Sequence, residues 1–204
     1  AAWSRMSSPS NFCDPIVCGK LLPCFSSNPS SRAIDSVSLI EDENFSVLNL
    51  NDAVASHIDI NLQKIGVRAD LIMGVFAAAG SFPQCMSNLS PEGKVEGKNT
   101  FLKNAMERLV KAGERLNAKY IFPFAGQYVL SGDLSILNSD RAIIPVSIAR
   151  NEIQSLTEME VFTLGTSESC SFLQGEIVEI GKSYLEPANE TMSAYLDEKN
   201  GPYA

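Results

Sequence analysis

Asp52, Asp133 and His57 are the residues of this chain whose type and setting could do chemistry. Asp52 closes the run FSVLNLND, in which a short apolar strand leads through Asn51 to an acid. A carboxylate at the carboxyl end of a buried strand is held rigidly while its tip reaches a cleft, which suits metal or substrate chemistry. The competing reading is a helix N-cap, because Asp is a favoured cap and Ala53, Val54 and Ala55 follow it. Asp70 precedes an apolar run and Asp133 follows FAGQYVLSG. Two acids at strand ends can share general acid and base duties when folding brings them together, although most such acids are simply solvated. His57 is the sole histidine, so a Ser-His-Asp or Cys-His pair could use no other base. Its place beside Ile58 in a helical pattern favours a structural or solvent role.

Two loops bring small residues to strand ends. One is the turn Ala77, Ala78, Ala79, Gly80; the other is Pro123, Phe124, Ala125, Gly126, Gln127, Tyr128. A strand that ends in small residues followed by Gln and Tyr invites close approach by a ligand or by another loop, and a plain turn is the alternative. The candidate pocket is therefore Asn51, Gly80, Ala125, Gly126, Gln127, Tyr128 and Asp133. Neither a Walker loop nor a G-x-G-x-x-G fingerprint occurs.

The elements that must position these residues follow from periodicity. Residues 1–32 carry Pro9, Pro15, Pro23 and Pro29 among many serines, so a loop-rich segment is expected. The strands Ser36–Ile40 and Phe45–Leu48 read as a hairpin around an acidic turn. Val54, Ile58, Leu62 and Ile65 recur at helical spacing up to Gly66, a C-terminal stop. Ala69–Phe76 is a continuous apolar run, as in a strand covered on both faces. Ala77–Gly93, with Pro83 and Pro91, is expected to be loop. Helical periodicity runs from Lys98 to Asn117, with Leu102, Ala105, Met106 and Leu109 on one side. Lys119–Phe124 is the next strand. Alternation of strands and helices predicts a largely parallel sheet with crossover connections. Further strands are expected at Ile143–Ile148, Val161–Leu164 and Ser171–Glu179, with a helical turn near Ala149–Leu156 and a terminal helix over Tyr184–Lys199. The division is a loop-rich segment (1–32), a main unit (33–180) and a tail (181–204).

Composition narrows the function classes. With 45% hydrophobic and 20% charged residues, the 204-residue chain can bury a proper core. A net charge of -8 and the lack of a basic cluster argue against nucleic acid or anionic membrane as a main partner. No apolar run reaches the roughly 18 residues of a membrane span. Cys13, Cys18, Cys24, Cys85 and Cys170 contain no C-x-x-C pair, so reduced thiols and a cytoplasmic setting are expected. The sequence opens AAWSRMSS, which suggests a start at Met6 or a fragment.

From about Val37 to Glu176 the chain resembles the second half of a metallo-β-lactamase-fold hydrolase, in the branch of UlaG-like lactonases and the CMP-N-acetylneuraminate hydroxylase type. The segments that carry the resemblance are SVLNLND, ADLIMGVFAAAGSFPQC, the helix from Lys98 to Asn117, and AKYIFPFAGQYVLSG. It implies an αββα sandwich whose sheet edges meet at a metal cleft, zinc or iron as the metal, and Asp52 as the match to the acid that bridges or ligates it. The family's HxHxDH motif, which supplies most of the remaining ligands, is absent, and one histidine cannot build its histidine cluster. Many members carry a histidine just after the proline of the later strand; here Pro123 is followed by Phe124, Ala125 and Gly126, and Leu130–Asp133 holds no histidine either.

The expected fold is thus mixed α/β (α+β), with mixed sheets and packed helices forming a half or reduced αββα sandwich. The expected function is an incomplete or degenerate hydrolase of this fold, inactive alone and completed by self-association or a complementary chain. If completed, it would be a metal-dependent hydrolase. The alternative is a non-catalytic small-molecule- or protein-binding protein on the same scaffold.

Overall fold

The computed structural model describes residues 18–23, 36–50, 58–77, 80–124, 128–164 and 168–180. Among these, six strands form one sheet in sequence order: β1 (Cys18–Pro23), β2 (Ser36–Glu41), β3 (Ser46–Asn49), β4 (Leu71–Val75), β5 (Tyr120–Phe124) and β6 (Glu160–Val161). The pairs β1–β2 and β2–β3 are antiparallel, and β3 through β6 are parallel. Parallel neighbours require crossovers, and the helices α1 (Ile58–Lys64), α2 (Pro91–Arg115) and α3 (Val146–Gln154) lie in them. The chain is a mixed α/β fold.

The register explains how the faces separate. Leu39, Leu48, Ile72, Ile121 and Val161 stand opposite one another across five strands, and none is more than 4% exposed. This row meets Leu62 of α1, Leu102, Met106 and Leu109 of α2, and Ala149 and Ile153 of α3, so all three helices cover the same face. Gly74 lets α2 come close, since a Cβ there would lie 2.8 Å from Leu109 Cδ1. One residue along each strand the side chains reverse. Val47, Leu71, Met73, Tyr120 and Phe122 point to the second face, where Phe45, Phe162, Phe172 and Ile177 join them. Phe172 and Ile177 belong to a separate two-stranded hairpin, β7 (Cys170–Leu173) and β8 (Glu176–Ile180). Its turn places Gln174 and Gly175 at φ 53° and 80°, the left-handed pair that a tight hairpin turn demands.

Several expectations change. Cys18–Pro23, inside the segment read as loop, is strand β1 and pairs with β2. Helix α2 starts at Pro91, inside the stretch read as loop through Gly93. Proline suits the first helical position because its missing N–H would have no partner there, and the Ser90 side chain accepts a bond from Gly93 N. Ile143–Ile148 is not a strand. Pro145 stands at the N-cap of α3, its carbonyl accepts from Ile148 and Ala149, and the helix buries Ala149 and Ile153 at helical spacing. The run of isoleucines imitated a strand because neighbouring Ile143, Ile144 and Val146 pack on the core from irregular backbone and a helix start. Gly132–Asp140 forms a 3-10 segment that periodicity did not suggest. Gly66 ends α1 with a positive φ of 81°, as expected of its stop. The terminal helix expected over Tyr184–Lys199 lies outside the described residues.

Candidate functional site

Because β3, β4 and β5 are parallel, the loops that follow β4 and β5 start from one edge of the sheet, the edge where open α/β sheets place ligands. Of the residues singled out in the sequence, Gly80 and Tyr128 meet there. The Tyr128 hydroxyl donates to the Gly80 carbonyl at 2.9 Å. A residue not foreseen, Gln84, completes the cluster. Its Nε2 donates to Gly80 O at 2.7 Å and to the Tyr128 hydroxyl at 2.8 Å, and the side chain is only 2% exposed. Gln84 stands between Pro83 and Cys85 in a loop dominated by turn residues, where no local pattern distinguishes a solvated glutamine from a buried one. The amide therefore ties the β4 loop to the β5 loop.

Cationic side chains extend this tie. Lys94, in the first turn of α2, gives its ammonium to Gln84 O at 3.0 Å and to Asp140 Oδ2 at 3.1 Å. The Arg141 guanidinium lies 5.3 Å from the centre of the Tyr128 ring, a cation–π contact, and its Nε donates to Asn138 O at 3.1 Å. Burial pushes the Arg141 pKa below its usual value, and Tyr128 acts in the opposite direction. Asn138 bonds Leu130 twice, accepting from its N–H at 3.0 Å and donating to its carbonyl at 2.9 Å. The loop after β4, the loop after β5 and the 3-10 segment are thus joined at this edge by hydrogen bonds through buried or half-buried side chains. Among the described residues Gln84 Oε1 is buried without a hydrogen-bond partner.

The remaining candidates fall elsewhere. Asp133 is exposed at the start of the 3-10 segment, and no hydrogen bond among the described residues joins it to this cluster. Asp70 sits at the amino ends of the strands, where its Oδ2 accepts from Ser46 N and Ser46 Oγ, both at 2.8 Å. That pairing clasps β3 to β4 and leaves Asp70 at the edge opposite Tyr128. Asn51, Asp52, His57, Ala125, Gly126 and Gln127 lie outside the described residues. Cys85 is exposed and Cys170 half-buried, both as free thiols, and burial raises the pKa of Cys170. A separate open groove of about 450 Å³ runs beside the start of α2, walled by Phe82, Leu89 and Phe101 over Gly93 and Gly97. None of the sequence candidates lines it.

A metal needs several converging O, N or S ligands. Among the described residues no group of three or more His, Cys, Asp or Glu is arranged to hold one. The carboxyl edge instead presents an amide, a phenol, two cations and one carboxylate that is already paired with Lys94. These described groups do not fit zinc or iron.

Neither the family models nor the curated proteins contain a match to this chain. Among solved structures it is similar to a mutant of the β-hydroxylase CmlA, with a TM-score of 0.43 and 12% sequence identity over 73% of this chain. The match spans 30% of that protein's length. No helix among the described residues is long and apolar enough to cross a membrane.

Proposed function

We propose that the chain is an incomplete metallo-β-lactamase-like hydrolase scaffold, inactive alone, in which Asp52 is the one position that corresponds to a metal ligand. The observation that carries this reading is the uneven cover of the sheet's two faces. All three crossover helices cover one face, while on the other the β7–β8 hairpin rests over Leu71, Tyr120 and Phe162 and leaves Val47, Met73 and Phe122 half-buried and Ile40 at 42% exposure. A sandwich would place a second sheet against such a face. Asp52 follows Asn49, the last residue of β3, by three residues in the chain. No reaction step is assigned to a metal, since the described groups at that edge do not supply a ligand set.

A second reading, a non-catalytic small-molecule- or protein-binding role on the same scaffold, is favoured by the donor-rich cluster of Gln84, Tyr128, Lys94 and Arg141. Metal analysis of the purified chain separates the two from an intact enzyme. Substoichiometric zinc and iron, unchanged in Asp52→Ala, is the expected result. Stoichiometric metal that is lost in Asp52→Ala would show a complete site and overturn the proposal. Size-exclusion chromatography adds a second check, because a well-behaved monomer would count against a scaffold that needs a complement.

A further inference from the structure

The β7–β8 hairpin belongs to a different sheet from β1–β6, and no strand pairing joins the two among the described residues. A two-stranded hairpin is marginal by itself in water, so its order depends on what it rests on. Its apolar support is aromatic. The Phe172 ring stacks on Phe45 at 4.2 Å and meets Tyr120 and Phe162 edge-on at 5.5 and 6.1 Å. Its polar support runs through two neighbouring residues of β5 and its approach. The Tyr120 hydroxyl donates to Glu176 Oε2 at 2.8 Å, lies 3.3 Å from Gly175 O, and accepts from Ile177 N at 3.3 Å. Lys119 Nζ reaches Glu176 Oε1 at 3.2 Å.

These polar contacts gather at the turn end of the hairpin, on Gly175, Glu176 and Ile177. Cys170 and Ile180 pair at the opposite end of the hairpin. Local stability follows the buried apolar contacts and protected hydrogen bonds of each unit, and those differ sharply across the sheet. On the helix face Leu48, Ile72, Ile121 and Val161 are fully buried, whereas Phe172 and Ile177 are only half-buried.

We propose that β7–β8 is a displaceable cover over the second face, latched at its turn by Tyr120, which opens as a unit while β3–β6 and their helices stay folded. Opening bares Phe45, Tyr120 and Phe162, an aromatic floor, together with Leu71. The cover does not rest on the metal reading, since none of the residues that latch it belongs to the carboxyl-edge cluster.

Amide hydrogen exchange on the full chain, followed by mass spectrometry of peptides from β7–β8 and from β4 and β5, tests this. The hairpin amides are expected to exchange about a hundredfold faster than those of β4 and β5. Tyr120→Phe keeps the ring and removes the hydroxyl, and should speed hairpin exchange about tenfold while β4 and β5 stay unchanged. Equal protection of hairpin and sheet in the wild type would overturn the proposal, as would a Tyr120→Phe variant that accelerates every peptide alike. Should Tyr120→Phe not fold, Glu176→Ala at an exposed position must produce the same split, and a uniform response there overturns it equally.

Discussion

On the helix face of the sheet, Leu39, Leu48, Ile72, Ile121 and Val161 form one row with almost no exposure. One residue along each strand, the row Ile40, Val47, Leu71, Tyr120, Glu160 turns to the other side, and it grades from an exposed isoleucine through a buried tyrosine to an exposed glutamate. The first row is held by burial, which has no direction and stabilises by roughly 1.5–3 kcal/mol for each large side chain removed from water. The second is held by a few aromatic contacts and one hydroxyl. The difference teaches that a single pleated backbone can carry a core on one side and a removable contact on the other, because side chains alternate while strand hydrogen bonds do not.

Three measurements break or sharpen this contrast. Ile121→Ala, in the middle of the helix-face row, should cost about 3 kcal/mol in urea unfolding, through lost transfer energy and a cavity that α2 and α3 cannot close. Phe172→Ala, on the hairpin, should cost about 1 kcal/mol by the same assay and strip protection from β7–β8 alone. If both substitutions cost the same, the faces are not different in kind.

The smallest effect is expected from acid. The Tyr120 hydroxyl, then Lys119, hold the Glu176 carboxyl below the usual range. A carboxylate whose pKa is lowered on folding contributes fully above its unfolded value, and that contribution fades as pH falls through the folded one. The hairpin should therefore stay latched at neutral pH and loosen below about pH 4.3, the ordinary glutamate value. Hydrogen exchange measured across that range should show hairpin protection falling before that of β4, and Glu176→Gln should flatten the dependence. At the alkaline end burial and Glu176 raise the Tyr120 pKa, so the latch persists up to the ordinary tyrosine range and is lost only above it.

Much of the scaffold was legible because it depends on local periodicity. The apolar run before Phe76 and the helical stripe of Leu102, Ala105, Met106 and Leu109 gave β4 and α2, and their alternation gave the parallel sheet. Proline positions were the hardest to read. Pro91 looked like a breaker yet starts a helix, and the run Ile143–Ile148 read as a strand although Pro145 within it stands at the N-cap of α3. In each case the helix lies on the C-terminal side of the proline, where its missing N–H needs no partner.

The candidate site was legible only in part. Gly80 and Tyr128 were singled out from loop chemistry and do meet, but Asp133 does not join them, and Asp70 is engaged with Ser46 at the far edge. Gln84 could not be found at all, since its burial comes from Gly80, 4 residues back, and from Tyr128, 44 residues on.

What the sequence determined by itself is therefore the alternation of strands and helices, the row of residues fit for a core, and the shortage of histidine for a metal cluster. These are properties of spacing and count. Only the tertiary structure decided that the three helices share one face, that a hairpin rests on the other, and that an amide locks two loops at the carboxyl edge. Such contacts join residues that are distant in the chain, and no local pattern encodes which of them will meet.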